Sequence, residues 1–150
     1  MPSASTVFVD TNVLLYAQDP RDPRKRGAAE RWLVWCWHAQ RARISTQVLN
    51  ELYANLRRAA PQLSVEAARA LVRRYRLWNP WLVDDSTVDI AWQMQDAYSL
   101  SYWDALMLAA ARQQGCAFLL TEDLQHGQQI DGVQIVNPFL TGPELIEPSA

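Results

Sequence analysis

The chain has 150 residues, 49% of them apolar, with seven Trp and a net charge of −2, a make-up that suits one compact domain with a sizeable core. No apolar run approaches the roughly 20 residues needed to span a bilayer. The opening Met1–Ser5 lacks the basic and apolar regions of an export signal, so no membrane association and a cytoplasmic location are expected.

Thr6 to Val9 is a β-branched and aromatic run ending at Asp10 and reads as a buried strand. Asn12 to Ala17 follows as a short helix, and Asp19 to Pro23 as a loop. Arg24 to Gln40 predicts a longer helix with Trp32, Trp35, Cys36 and Ala39 on one face. Cys36 and Cys116 lie outside any CxxC pair, with no cluster of His and Cys to complete a zinc set. They read as buried free thiols rather than as disulfide or redox partners. Arg43 to Ser45 is a second brief strand. Gln47 to Ala59 is a helix with Val48, Leu52 and Leu56 at four-residue spacing, stopping before Pro61. Ser64 caps the next helix, whose inner face is Val65, Ala68, Leu71, Val72 and Tyr75. Trp81 to Val83 predicts a third strand, and Ser86 then caps a helix to about Tyr98. Ser101 caps another, from Tyr102 to Gln114, closed by Gly115. Ala117 to Leu120 is the fourth strand, Val133 to Val136 the fifth, and 141–150 a short tail.

No repeat or linker divides these elements, so 1–150 is expected to be a single domain. Their alternation predicts an α/β three-layer sandwich, with a mostly parallel five-stranded sheet flanked by helices. Such sheets place ligands beyond the C-terminal ends of their strands. Asp10 and Asp123 both follow strands at that end. Asp104 is the only charge between Tyr102 and Ala111 of an otherwise apolar helix. It stands third after Ser101, where a carboxylate can also serve the cap. Glu51 lies early in its helix, among Val48, Leu49, Leu52 and Tyr53. Four acids bordered by core-forming sequence would repel one another if they converged without a cation. Carboxylate oxygens with no His or Cys favour Mg²⁺, with Mn²⁺ able to substitute, and point to phosphoryl chemistry.

Residues 1–76 carry 13 of the 14 basic residues and 6 acids, a net of +7, whereas residues 77–150 carry only Arg112 against 10 acids, a net of −9. Thirteen of the 14 basic residues are Arg, which binds phosphate or carboxylate partners bidentately. Arg57 and Arg58, with Arg69, Arg73 and Arg76 at helical spacing, can hold an RNA backbone or form a solvated face. The Trp32, Trp35 and Trp37 helix has aromatic surface that suits either core packing or an interface.

Val-Phe-Val-Asp10-Thr-Asn12-Val-Leu-Leu-Tyr resembles the opening motif of PIN domains. Ile-Ser-Thr-Gln-Val-Leu-Asn50-Glu51-Leu-Tyr is similar to the family's second motif, Leu-Ser-Tyr-Trp-Asp104-Ala-Leu-Met to the third, and Leu-Leu-Thr121-Glu-Asp123-Leu to the fourth. The motifs occur in family order from residue 7 to about 138, and the VapC-like toxins of bacterial toxin–antitoxin pairs are the subgroup most resembled. The resemblance implies a PIN fold, Mg²⁺-dependent endoribonuclease activity, a homodimer and inhibition by a small antitoxin. It also implies an acidic site of Asp10, Glu51, Asp104 and Asp123, with Glu122 adjoining Asp123 as an alternative. Asn12, Ser45 and Thr121 stand near strand ends, as helix caps or as groups orienting water.

Other classes fit less well. An aspartyl phosphatase or phospho-receiver domain generally needs a Lys late in the chain, and the only Lys here is Lys25. A non-catalytic PIN fold that binds RNA or protein would be signalled by loss of one of the acids, and all four are present. A DNA-directed nuclease shares the chemistry, but the short chain has no added duplex-binding segment.

Overall fold

Three β-branched or aromatic residues form β1 (Val7–Val9), and all three are fully buried, as a strand covered on both faces requires. The computed structural model describes residues 5–147, so Met1–Ala4 of the opening and Pro148–Ala150 of the tail lie outside the described residues. α1 (Thr11–Tyr16) follows directly. α2 (Pro23–Ala39) starts with Pro at its first position and Asp22 as cap. β2 (Ala42–Arg43) leads to α3 (Thr46–Ala59), and α4 (Val65–Tyr75) begins behind the Ser64 cap. α5 (Asp85–Tyr98) and α6 (Tyr102–Gln113) precede β3 (Phe118–Leu120), β4 (Gln129–Ile130) and β5 (Val133–Val136).

The strands form one sheet in the order β2-β1-β3-β5-β4, parallel except for the β4–β5 pair. The architecture is the expected α/β one, although the five strands are not quite those predicted. Trp81 makes only an isolated parallel bridge to Ser45. The chain leaves the sheet edge there because the Val83 N–H turns to the Thr46 hydroxyl at 3.2 Å and α5 begins at Asp85. The fifth strand is instead Gln129–Ile130, paired with β5 in a hairpin. Its turn residues Asp131 and Gly132 have φ of 50° and 84°, the Asp-Gly conformation of a type I′ turn.

α6 supplies the densest packing, with Ala105 to Ala111 all buried. Small side chains there let it approach β3 and β5 closely, and it also packs along α5. Trp32 is fully buried, and its indole N–H donates to the Pro138 and Thr141 carbonyls at 3.2 and 2.9 Å. Cys36 and Cys116 are buried free thiols, pushed up to about 12 and about 11 by burial. Among the described residues no helix is long and apolar enough to cross a membrane.

One predicted cap moves. Asp84, not Ser86, caps α5: its carboxylate accepts from the Thr87 N–H at 3.2 Å, and the Thr87 hydroxyl answers the Asp84 N–H. Ser86 instead donates to Asp84 at 2.6 Å, because a carboxylate at the cap position is the stronger acceptor. Asp84→Ala should therefore lower the melting temperature by a few degrees and Ser86→Ala by less, as thermal circular dichroism would measure. The reverse order would restore Ser86 as the cap.

Candidate active site

The parallel register sets Val9 opposite Leu120, and the Asp10 N–H donates to the Leu120 carbonyl at 3.0 Å. The residues that leave the two strands, Asp10 and Thr121, therefore stand side by side. The Thr121 hydroxyl donates to Asp10 Oδ2 at 2.7 Å and accepts from the Asp123 N–H at 3.1 Å. Asn12, in the first turn of α1, donates through Nδ2 to Asp123 Oδ2 at 3.2 Å. Asp104 enters from the first turn of α6, where its N–H donates to the capping Ser101 hydroxyl at 3.1 Å. Its carboxylate does not complete that cap and has no hydrogen-bond or ion-pair partner among the described residues.

Asp10 is only 3% exposed. Burial, with the Asp123 and Asp104 charges adding to it, pushes its carboxyl up to about 7 against the opposing Thr121 hydrogen bond. Asp123 is also raised, first by burial and then by the charges of Asp104 and Glu122. Asp10, Asp104 and Asp123 thus stand within one another's fields. Glu51 sits at the margin of this cluster: it accepts from the Thr11 hydroxyl at 2.8 Å and from Gln47 Nε2 at 3.0 Å. Thr11 adjoins Asp10, and the same Gln47 nitrogen donates to the carbonyl of Trp103, the neighbour of Asp104, at 3.2 Å.

Glu122 is engaged elsewhere. Its carboxylate pairs with Lys25 Nζ at 2.7 Å, and that ammonium also reaches the Tyr16 hydroxyl and lies over the Tyr16 and Phe139 rings. Of the two adjacent acids, Asp123 is the one beside Asp10. Ser45 is a helix cap, accepting from the Val48 N–H, whereas Asn12 and Thr121 touch the acids. Reading the sequence missed Thr11 and Gln47. Both were signalled by spacing, Thr11 next to Asp10 and Gln47 one helical turn before Glu51. Gln47 Oε1 is the one buried side-chain oxygen or nitrogen among the described residues with no partner, a state that costs about 1–3 kcal/mol.

Arg69, Arg73 and Arg76 line a groove of about 650 Å³ with Tyr53 and Leu82, while Arg57 and Arg58 are exposed on α3. The Trp-rich helix packs on the chain itself. Trp35 donates to Glu147 and Trp37 lies against Tyr75, Trp78 and Arg74.

The PIN domain family model matches residues 7–129, a span that holds all four acids. The chain belongs to the PIN domain family. Among curated proteins no sequence matches it. This PIN domain is similar to VapC20 of Mycobacterium tuberculosis, described as a sarcin–ricin loop cleaving toxin, at 24% identity and a TM-score of 0.60 over 79% of this chain and 90% of that one. It is also similar to a toxin–antitoxin complex from Klebsiella pneumoniae, at 20% identity and a TM-score of 0.58 over 89% of this chain and 98% of that one. VapBC2 from Rickettsia felis, bound to a DNA fragment from its promoter, matches at 14% identity and a TM-score of 0.59 over 88% of this chain and 98% of that one. At these identities the likeness is one of fold.

Among the described residues no three His, Cys, Asp or Glu side chains are drawn together tightly enough to enclose an ion by themselves. The donors at the PIN-domain site are all oxygen: Asp10, Asp104, Asp123 and the amide of Asn12. That set fits Mg²⁺, which keeps several waters and takes only one or two carboxylates. It does not fit a closed zinc cage.

The raised Asp10 carboxyl has a consequence for metal-free protein. The fold holds its proton more tightly than the unfolded chain does. Its contribution to stability is therefore full below the ordinary value of 3.8 and is lost as pH rises through about 7. Asp10→Asn should flatten this decline and leave the metal-free protein more stable at pH 8, by on the order of a few kcal/mol. Urea unfolding between pH 4 and 8 in EDTA measures it, and identical pH profiles for the two proteins would refute it.

Proposed function

We propose that this PIN domain is a Mg²⁺-dependent endoribonuclease and the toxin of a type II toxin–antitoxin pair. The observation that carries the reading is the meeting of Asp10, Asp104 and Asp123 at the C-terminal end of a parallel sheet, where burial holds Asp10 near 7. Asp10 and Asp123, raised by burial and by neighbouring carboxylates, are ready to exchange their protons for a cation. Asp10, Asp104 and Asp123 would hold the ion directly or through water. Bound there, Mg²⁺ (or Mn²⁺) supplies water activation and charge stabilisation for phosphodiester hydrolysis.

The chain's own groups do the positioning. Thr121 fixes Asp10, and Asn12 fixes Asp123. Glu51, aimed by Thr11 and Gln47, accepts from the attacking water and turns its lone pair towards phosphorus. No protein nucleophile is needed, and neither buried cysteine is suited to be one. The Arg69, Arg73 and Arg76 row, with Arg57 and Arg58, would hold the RNA backbone through salt-sensitive phosphate contacts.

The toxin assignment draws on the fold neighbours, two of which are toxin–antitoxin complexes. It brings with it a small antitoxin as inhibitor, a homodimer and a cytoplasmic site of action. A short adjacent gene for a DNA-binding protein would support the pairing, and sedimentation of the purified chain as a strict monomer would remove the dimer.

Cleavage of a generic RNA should appear with Mg²⁺ and vanish in EDTA. Asp104→Asn and Asp123→Asn should each lower the rate by about 100-fold or more while leaving the fold intact, a loss on the scale of removing one charge-stabilising group. Glu122→Gln should stay within a few-fold of the unaltered protein, because Glu122 serves Lys25. Mg²⁺-dependent cleavage by folded Asp104→Asn at the unaltered rate would defeat the nuclease assignment of the acids. A loss at Glu122 equal to that at Asp123 would defeat the division between those two.

A further inference from the structure

α2 opens on Arg24, Lys25 and Arg26 with no acid in its first turn, although the positive end of a helix disfavours cations. Arg24 faces solvent, and Arg26 pairs with Glu30 at 3.1 Å. Lys25, the chain's only lysine, turns inward instead. Its ammonium lies 4.8 Å from the centre of the Tyr16 ring and 5.0 Å from that of Phe139, two rings that meet edge to face. It donates to the Tyr16 hydroxyl at 3.3 Å and to Glu122 Oε2 at 2.7 Å, and the two paired side chains are only 23% and 21% exposed. An apolar side chain would fill the space between the rings as well, and a partly exposed ion pair adds little to stability. Neither packing nor helix electrostatics calls for an ammonium here.

Its partner explains it. Glu122 stands between Thr121 and Asp123, both of which belong to the acid cluster. The Asp123 N–H donates to the Thr121 hydroxyl at 3.1 Å, so Glu122 is the apex of a tight turn and its carboxylate leaves on the side of α2. Residues 122–128 form neither helix nor strand. After Thr121, the first main-chain bond back to the sheet among the described residues is that of the Gly127 N–H to the Ile135 carbonyl, at 2.8 Å. Between these points the hydrogen bonds to other parts of the chain are Asn12 to Asp123, Lys25 to Glu122, and the Asn137 N–H to His126 Nδ1. Two adjacent acids thus sit on a segment with little else to decide which of them faces Asp10.

We propose that Lys25 is a positioning residue for the acid site: it sorts the two neighbouring carboxylates, holding Glu122 on α2 so that Asp123 alone enters the cluster. The inference rests on the metal-dependent reading for its cation and adds the residue that limits how many acids the cation meets. Without the ammonium, Glu122 would stand unpaired against two rings. A carboxylate in that position gains most by turning to the cation held next to it by Asp123. Each added carboxylate tightens cation binding. It also takes the place of a water and cancels part of the charge that phosphodiester hydrolysis needs. Loss of Lys25 therefore makes the site bind its cation better and work worse, and removing the Glu122 charge as well reverses both effects.

The test is calorimetric titration of the full chain with Mn²⁺ alone, followed by cleavage of a generic RNA in Mg²⁺. Lys25→Met, whose side chain fits between the rings, should bind Mn²⁺ about 10-fold more tightly and cleave about 10-fold or more slowly. Lys25→Met/Glu122→Gln should return to within about 3-fold of the unaltered protein in both measurements, and Lys25→Arg should stay within about 3-fold throughout. Lys25→Gln, which removes the charge and keeps a donor, gives the same comparison if circular dichroism shows the Met variant unfolded. Mn²⁺ affinity that is unchanged or weaker in Lys25→Met, or a double variant as impaired as the single one, would make Lys25 a structural tie and overturn the proposal. Retained Mg²⁺-dependent cleavage in the unaltered protein would leave the nuclease reading standing in that case. Tighter Mn²⁺ binding that Glu122→Gln reverses, in a protein that cuts no RNA, would uphold Lys25 and remove the nuclease reading.

Discussion

The parallel pairing of β1 with β3, Val9 opposite Leu120, is the constraint from which the site follows. Residues 9 and 120 are far apart in the chain, yet their register makes Asp10 and Thr121 neighbours. One hydroxyl then fixes two acids, donating to Asp10 and accepting from the backbone of Asp123. A slip of one residue would turn every side chain of the short strand to the other face. It would take Asp10 from beside Thr121, and β1, buried along its whole length, has no alternative polar face to offer. The apolar run Val7–Val9 therefore positions the chemistry as well as stabilising the sheet.

That arrangement opposes stability. A carboxylate 3% exposed and near two others is a poor choice for a core. The fold limits the damage locally. Thr121 and Asn12 donate to the acids, and Lys25 takes Glu122 into a separate pair, keeping a further negative charge occupied outside the cluster. What is left uncompensated is the mutual repulsion of Asp10, Asp104 and Asp123, together with the unpaired oxygen of Gln47. Local rules are broken at these places and obeyed almost everywhere else in the molecule, a pattern that marks functional sites.

Much of this was legible in the chain itself. The strands ending at Asp10 and before Thr121, the Ser64 and Ser101 caps and the apolar helix around Asp104 follow from periodicity and capping chemistry, and they are enough to bring the aspartates to one end of the sheet. The failures have specific causes. Trp81 to Val83 has strand-like composition, but a sheet edge with one bridge and a helix cap immediately after it cannot extend. Gln129–Ile130 is too short to show alternation, although Asp131-Gly132 carried the turn signal. Ser86 lost the cap to Asp84 because both are good caps and only geometry separates them. Gln47 and Thr11 look ordinary in sequence, and their importance depends on long-range partners that spacing alone does not supply.

The uneven charge of the two halves gains a structural meaning from the same topology. The basic first half contributes Asp10 and Glu51 to the site, and the acidic second half contributes Asp104 and Asp123, so the acid cluster lies where the halves meet. The groove carrying Arg69, Arg73 and Arg76 shares Thr46 and Asn50 with a cavity beside Glu51 and Trp103. Negative potential at the acids repels a polyanion, while the adjacent Arg row attracts it. On the proposed nuclease reading, a strand held by its phosphates on the Arg side would reach the acids more easily once a cation had offset part of their charge. In this arrangement cation and substrate would bind with positive coupling, each improving the site for the other.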